Sequence, residues 1–148
     1  MIGFCYSRRV SVGAKQVILT QSVGKFIHFS IKFMKYAIQV NMAPGENGVS
    51  KTAWLFIKAA RNAGHEVLRV FFYHAGVENA FVSPTEFGYD LPDWSSLALT
   101  DGVELVYCTT AAERRGKWSE AALGGFKAGG LGLWVDACLR ADRVIVFG

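Results

Sequence analysis

One of the three cysteines, Cys108, closes an apolar run, and the residues behind it are types that sulfur chemistry uses. In VELVYCTTAAERRG (Val103–Gly116) the thiol is followed by two threonines, two alanines and an arginine pair. A strand that delivers a thiol to its C-terminal end, where a helix begins, brings the sulfur to free backbone N–H groups. Such groups, with cations nearby, favour a thiolate over a thiol. Arg114 and Arg115 lie six and seven residues beyond the sulfur. One guanidinium can offset the charge of a thiolate or persulfide, while a solvated turn ending a short helix is the plainer use of the other. Two readings of Cys108 stand open on these residues alone. It is either a nucleophilic, persulfide-carrying thiol or a small apolar residue filling the end of a buried strand.

The other candidates are fewer. His74 follows FFY and precedes Ala-Gly, so it belongs at a pocket edge, as a general base or as a hydrogen-bonded loop histidine. Cys138 sits mid-helix beside Leu131, Trp134 and Val135, which predicts a core position. Cys5 belongs to the N-terminal stretch and carries no role. The chain holds no CxxC pair and no Cys/His cluster at metal-ligand spacing. The glycines of NMAPGENG spell neither GxGxxG nor a Walker loop, so a flavodoxin-like nucleotide or flavin binder has weak support.

The elements that would position Cys108 start at Met34. Residues 1–33 hold Arg8, Arg9, Lys15, Lys25 and Lys32 with no acid, whereas 34–148 hold 11 Lys and Arg against 12 Asp and Glu. The overall +4 charge therefore belongs to the leader. The remainder lacks the basic excess of a nucleic-acid binder. We expect 1–33 to lie outside the fold, as sequence upstream of a start at Met34 or as a basic targeting arm, and 34–148 to form one domain. Half the residues are hydrophobic and 14% are aromatic, enough for a real core. No apolar run approaches the ~20 residues of a membrane span. Three cysteines without disulfide spacing fit a reducing, cytoplasmic setting.

Strand-length apolar runs occur at Lys35–Val40, Glu66–Tyr73, Val103–Cys108, Phe126–Ala128 and from Arg143 to the end. Helical spacing spans about Ser50–Ala63, with Ser50 or Asn47 as cap and Gly64 as stop. Trp94 to about Leu99 forms a short helix, TTAAERRGKWSEAAL a longer one interrupted at Gly116, and Leu131–Ala141 another. A loop runs on from His74. Strands alternating with helices, each strand nearly continuous in apolar residues, predict an α/β fold: a three-layer α/β/α sandwich with a mostly parallel five-stranded sheet. Ligands gather at the C-terminal strand ends of such sheets. Those ends present Asn41, His74 and Cys108, with Thr109 next to the sulfur. The run Gly129–Gly132 lets backbone pass close beside the loop after the third strand.

FFYHAGVENA (Phe71–Ala80), the Cys108 segment ending in ERRG, the GGLG segment and ADRVIVFG (Ala141–Gly148) together resemble DsrE/TusD-like sulfurtransferase subunits of the DsrE/DsrF-like family. The resemblance runs from Met34 to Gly148. It implies that Cys108 receives sulfur as a persulfide and passes it on, with no metal or organic cofactor. The implied assembly is a hetero-hexamer with DsrF/TusC-like and DsrH/TusB-like subunits, or a homo-oligomer when the chain is alone. The implied donor is a TusA-like carrier and the acceptor a DsrC/TusE-like protein, serving tRNA thiolation or sulfur oxidation, with no direct contact to nucleic acid or membrane. Two stretches depart from the family pattern: Asn79 to Trp94, which contains SPTEFGYDLP, and a shorter Gly116 to Phe126. The relay chemistry calls for a thiol that is recessed yet accessible, with room left by the small residues Thr109–Ala112. The competing class is a non-catalytic α/β structural or regulatory subunit whose cysteine is core filler.

Overall fold

The computed structural model describes residues 32–84 and 91–148. The expectations for the leader and for most of EFGYDLP fall on residues outside that range. Chain contacts divide the protein into Met1–Phe33 and Met34–Gly148, and the fold is that of the second unit.

Five strands form one sheet: β1 (Lys35–Val40), β2 (Glu66–Phe72), β3 (Leu105–Cys108), β4 (Phe126–Gly129) and β5 (Arg143–Phe147), in the order β4-β3-β2-β1-β5. Every neighbouring pair is parallel. The chain steps outward from β1 to β4, then crosses back through a helix to place β5 on the other side of β1. Side-chain alternation along the strands sorts the core into two clusters. Ile38, Val40, Val70, Phe72 and Leu105 pack with Ala53 and Ile57 of α1 (Val49–Asn62) and with Trp94 and Leu97 of α2 (Trp94–Asp101). Phe71, Val106 and Cys108 point the other way, against Val77, Ala111 and Ala112. Ala111 and Ala112 belong to α3 (Thr109–Arg114), and Trp134 of α4 (Leu131–Arg140) stacks on Phe71.

Buried polar groups clamp both sides. Ser50 donates to Asn79 Oδ1 at 2.6 Å, Trp94 Nε1 donates to both, and Asn79 Nδ2 donates to the Met42 and Gly76 carbonyls. On the opposite side Arg69, 6% exposed, pairs with Glu104 at 2.6 Å and Asp136 at 3.3 Å and donates to the Leu133 carbonyl. That ties α4 to the sheet. A buried guanidinium needs such a full set of acceptors.

Local chemistry differs from the expected pattern in four places. Gly48, not Ser50 or Asn47, caps α1, with φ +68; Ser50 is drawn inward to Asn79 instead. The loop after β2 is a seven-residue 3-10 helix, His74–Ala80. The helix after Cys108 ends at Arg114 and breaks at Gly116, φ +75, as expected, but instead of resuming it is followed only by a 3-10 turn at Lys117–Ser119. Finally, Cys138 is half-buried rather than in the core. Trp134 and Ala137 form the inner side of α4, while Leu131 and Val135 are exposed.

Candidate functional site

β3 ends on Cys108, which is also the N-cap residue of α3, with φ −72 and ψ 116. The extended backbone of the strand thus runs straight into the helix, and Thr109 opens the first turn. Helix-opening N–H groups have no intrahelical partners and are the donors on hand for an anionic sulfur. Beside it Gly129 pairs with Cys108 across β3 and β4. A Cβ on Gly129 would stand 2.7 Å from Val106 Cγ1 and 2.6 Å from Leu133 Cδ1. Of the glycine run, only this position is crowded, by the Val106 and Leu133 side chains rather than by the loop after β3. Thr109 Oγ1 faces the Gly129 carbonyl at 3.4 Å.

The sulfur is recessed, but it is not accessible in this conformation. Cys108 is 3% exposed, enclosed by Phe71, Val77, Val106, Ala111 and Ala112. The small residues of α3 do not leave a channel; two of them pack into the same cluster as the sulfur.

A cleft of about 560 Å³ opens next to this cluster, lined by Tyr73, His74, Glu78, Ala111, Arg114 and Arg115. It lies between the 3-10 helix and α3. His74 holds φ +48, an uncommon conformation for a side chain with a Cβ, and its ring lies 4.2 Å from that of Tyr73. The turn is held by the end of β1. Tyr73 N–H donates to the Val40 carbonyl at 3.0 Å, and Gly76 N–H donates to the Asn41 carbonyl at 2.8 Å. Gly76 passes so near that a Cβ would fall 2.0 Å from Val40 O. Asn41 therefore anchors the 3-10 helix, and its own N–H donates to Phe147 O of β5. Neither Asn41 nor Thr109 lines the cleft.

The two arginines part company. Arg115 donates to Glu78 Oε1 at 2.7 Å, an ion pair that bridges α3 to the 3-10 helix. Arg114 has no hydrogen-bonding or ionic partner among the described residues and is exposed on the cleft. Glu78 and Tyr73 are site residues that the sequence reading missed. Glu78 is the one acid in FFYHAGVENA, so an arginine pair expected nearby was the available signal. The third thiol offers no rival. Burial pushes the Cys138 thiol up, which disfavours its nucleophilic thiolate form. Among the described residues no group of three or more His, Cys, Asp or Glu could hold a metal ion.

The model of the DsrE/DsrF-like family matches residues 34–147. The chain belongs to the DsrE/DsrF-like family. Its match spans the whole described sheet, Cys108 and the cleft. Over 129 residues the chain is 39% identical to a protein of Allochromatium vinosum named "Putative sulfurtransferase DsrE", covering 78% of this chain and 99% of that one. Over 128 residues it is 39% identical to the sulfurtransferase TusD of Salmonella newport, covering 77% and 100%. Among solved structures, the ychN protein of E. coli superposes with a TM-score of 0.67 at 21% identity, covering 78% of this chain and all of that one. That likeness supports the α/β fold of this family member.

Proposed function

We propose that the chain is a sulfur-relay sulfurtransferase subunit in which Cys108 carries the sulfur in transit. The observation that carries this is the position of Cys108, at the C-terminal edge of a parallel sheet, capping α3, with a polar cleft on the far side of Ala111. The membership of the chain in a family whose similar members are named sulfurtransferases supports the same reading. In the reaction, the Cys108 thiolate attacks the outer sulfur of a donor persulfide. The donor S–S bond breaks, a Cys108–sulfur bond forms, and the electron pair leaves on the donor thiolate. An acceptor thiolate repeats the exchange on that outer sulfur. The protein's share is to desolvate the sulfur, supply N–H donors from α3 and admit the partner by parting the 3-10 helix from α3.

Partners in this proposal are the DsrF/TusC-like and DsrH/TusB-like subunits of a hetero-hexamer, a TusA-like donor and a DsrC/TusE-like acceptor, in the cytoplasm. Among the described residues no helix is long and apolar enough to cross a membrane. Assembly is supported by the outer side of α4 and the edge strand β5. Leu131, Val135 and Leu139 recur at i, i+4 and i+8, and Leu139 is 82% exposed. Phe147 packs against Phe56 of α1, so alternation turns the exposed Val144 and Val146 to the α4 side of the sheet. Apolar surface of this kind marks an interaction face. Residues 1–33 are proposed to lie outside the relay domain, since the family match begins at 34.

The 3% exposure of Cys108 favours a second reading, a structural subunit with the cysteine as core filler. Intact mass under non-reducing conditions after incubation with a persulfidated donor separates the two. The relay reading expects a +32 Da adduct (roughly one sulfur atom) on the native chain and none on Cys108→Ser. An adduct that survives in Cys108→Ser, or its absence from the native chain, overturns it in favour of the second reading.

A further inference from the structure

Arg114 and Arg115 are neighbours, yet only one has its charge answered. Glu78 neutralises Arg115 and fixes it to the 3-10 helix. The same cleft keeps the Arg114 guanidinium uncompensated among the described residues, next to Tyr73 and His74. Arg114 also stands at the wrong end of α3 to touch the sulfur directly: six residues of helix carry it roughly 9 Å along the axis. Its reach is into the cleft. The cleft wall nearest the sulfur is Ala111, which packs in one cluster with Cys108. A molecule in the cleft is thus one small side chain away from Cys108, with a free planar cation beside it. At about 560 Å³ the cleft has the size of a small-molecule pocket.

Resting on the relay reading, we propose that this cleft is a binding site for a low-molecular-weight thiol persulfide bearing a carboxylate. Arg114 holds the carboxylate, so that a local opening of the Ala111 cover lets a small molecule charge Cys108 with sulfur directly. A guanidinium fork matches a carboxylate in two parallel hydrogen bonds, which fixes orientation as well as charge. With the carboxylate held at the end of α3, the persulfide end of the donor extends along the helix toward its N-cap. Charging balances without an added oxidant. The donor R–S–SH gives its outer sulfur to the Cys108 thiolate: a new S–S bond forms on Cys108, the donor S–S bond breaks, and R–S⁻ leaves with the electron pair and takes up the persulfide proton. Arg114 is a binding and specificity residue in this scheme, and Arg115 is a strut.

Two small donors differing in charge test this on the full chain: glutathione persulfide, which carries carboxylates, and the persulfide of 2-mercaptoethanol, which carries none. The initial rate of the sulfur adduct on Cys108 is followed by intact mass for each. The native chain is expected to charge from glutathione persulfide roughly five- to tenfold faster, the scale of an exposed charge-assisted pair. Arg114→Gln is expected to bring the ratio between donors near one, Arg114→Lys to restore part of it, and added salt to shrink it in the native chain. A native ratio near one, or a preference that survives Arg114→Gln, overturns the proposal. An adduct that forms on Cys108→Ser would instead overturn the relay reading beneath it, so the two failures are distinguishable.

Discussion

The two sides of the sheet are built to different standards. On one, α1 and α2 close over Ile38, Val40, Phe72 and Leu105, Trp94 meets Phe72 edge-on at 4.9 Å, and a polar clamp of Ser50, Asn79 and Trp94 satisfies what is buried there. On the other, the six-residue α3 contributes only alanines beside Cys108, and α4 turns an apolar stripe to solvent. Large interlocking side chains make the first side rigid, since packing at crystal-like density leaves little room to move. The second is thin where the sulfur lies. A cysteine under a thin cover, as the proposed relay requires, can be reached by small local openings, at a free energy well below that of global unfolding. On the proposed relay role, the fold separates two tasks, stability on one face and access on the other.

The largest consequence lies on the well-packed side. Phe72→Ala removes a fully buried ring that also touches Phe126 at 5.1 Å, and it should cost about 3–5 kcal/mol. Urea unfolding followed by tryptophan fluorescence measures this. A loss under about 1 kcal/mol would mean that the contrast between the faces is not one of packing.

How far this contrast was legible in the sequence depends on the interaction involved. The strands and the order of elements were legible because apolar runs bounded by turn residues are local signals, and Cys108 was legible because it ends one of those runs. The cover over Cys108 was not. Val77 and Ala111 are 34 residues apart in sequence, and nothing local says that they meet above a thiol. The same holds for Ser50, which reads as a helix cap but serves Asn79 instead. On α4 the apolar residues are spread around the helix, so spacing alone could not say which side faces inward. Arg69, buried by way of Glu104 and Asp136, is what settles it. The arginine pair is the instructive case. Two identical neighbours take different roles because a single distant acid, Glu78, reaches only one of them.

A medium effect is expected from the exposed stripe. Leu139→Glu changes a side chain that is almost wholly in solvent, so the isolated chain should keep its stability within about 0.5 kcal/mol. Inside an assembly the same carboxylate would be buried without a partner. The association should weaken by at least ~2 kcal/mol, about thirtyfold. Size-exclusion chromatography across a concentration series, with and without co-expressed partner subunits, reads the shift. Unchanged elution would remove α4 from the interface and leave its apolar side without a use.

The smallest effect on stability should reveal the most about access. Glu78→Gln breaks the ion pair that fastens the 3-10 helix to α3. Both partners are partly exposed, so the cost to folding should stay below about 1 kcal/mol. If that pair holds the cover down, most of the lost free energy appears in the local opening equilibrium. Labelling of Cys108 by a neutral thiol reagent should then quicken by up to roughly fivefold. Cys138, half-buried on α4, is the internal reference, because its labelling should not change. The rates must be compared at low urea, where global unfolding contributes little. If Cys108 in the native chain labels only with the full urea dependence of unfolding, and Glu78→Gln leaves that dependence as it was, then the thin side is as closed as the thick one. The ion pair would then be decoration on a sealed core, and sulfur would need a partner protein to pry the 3-10 helix from α3.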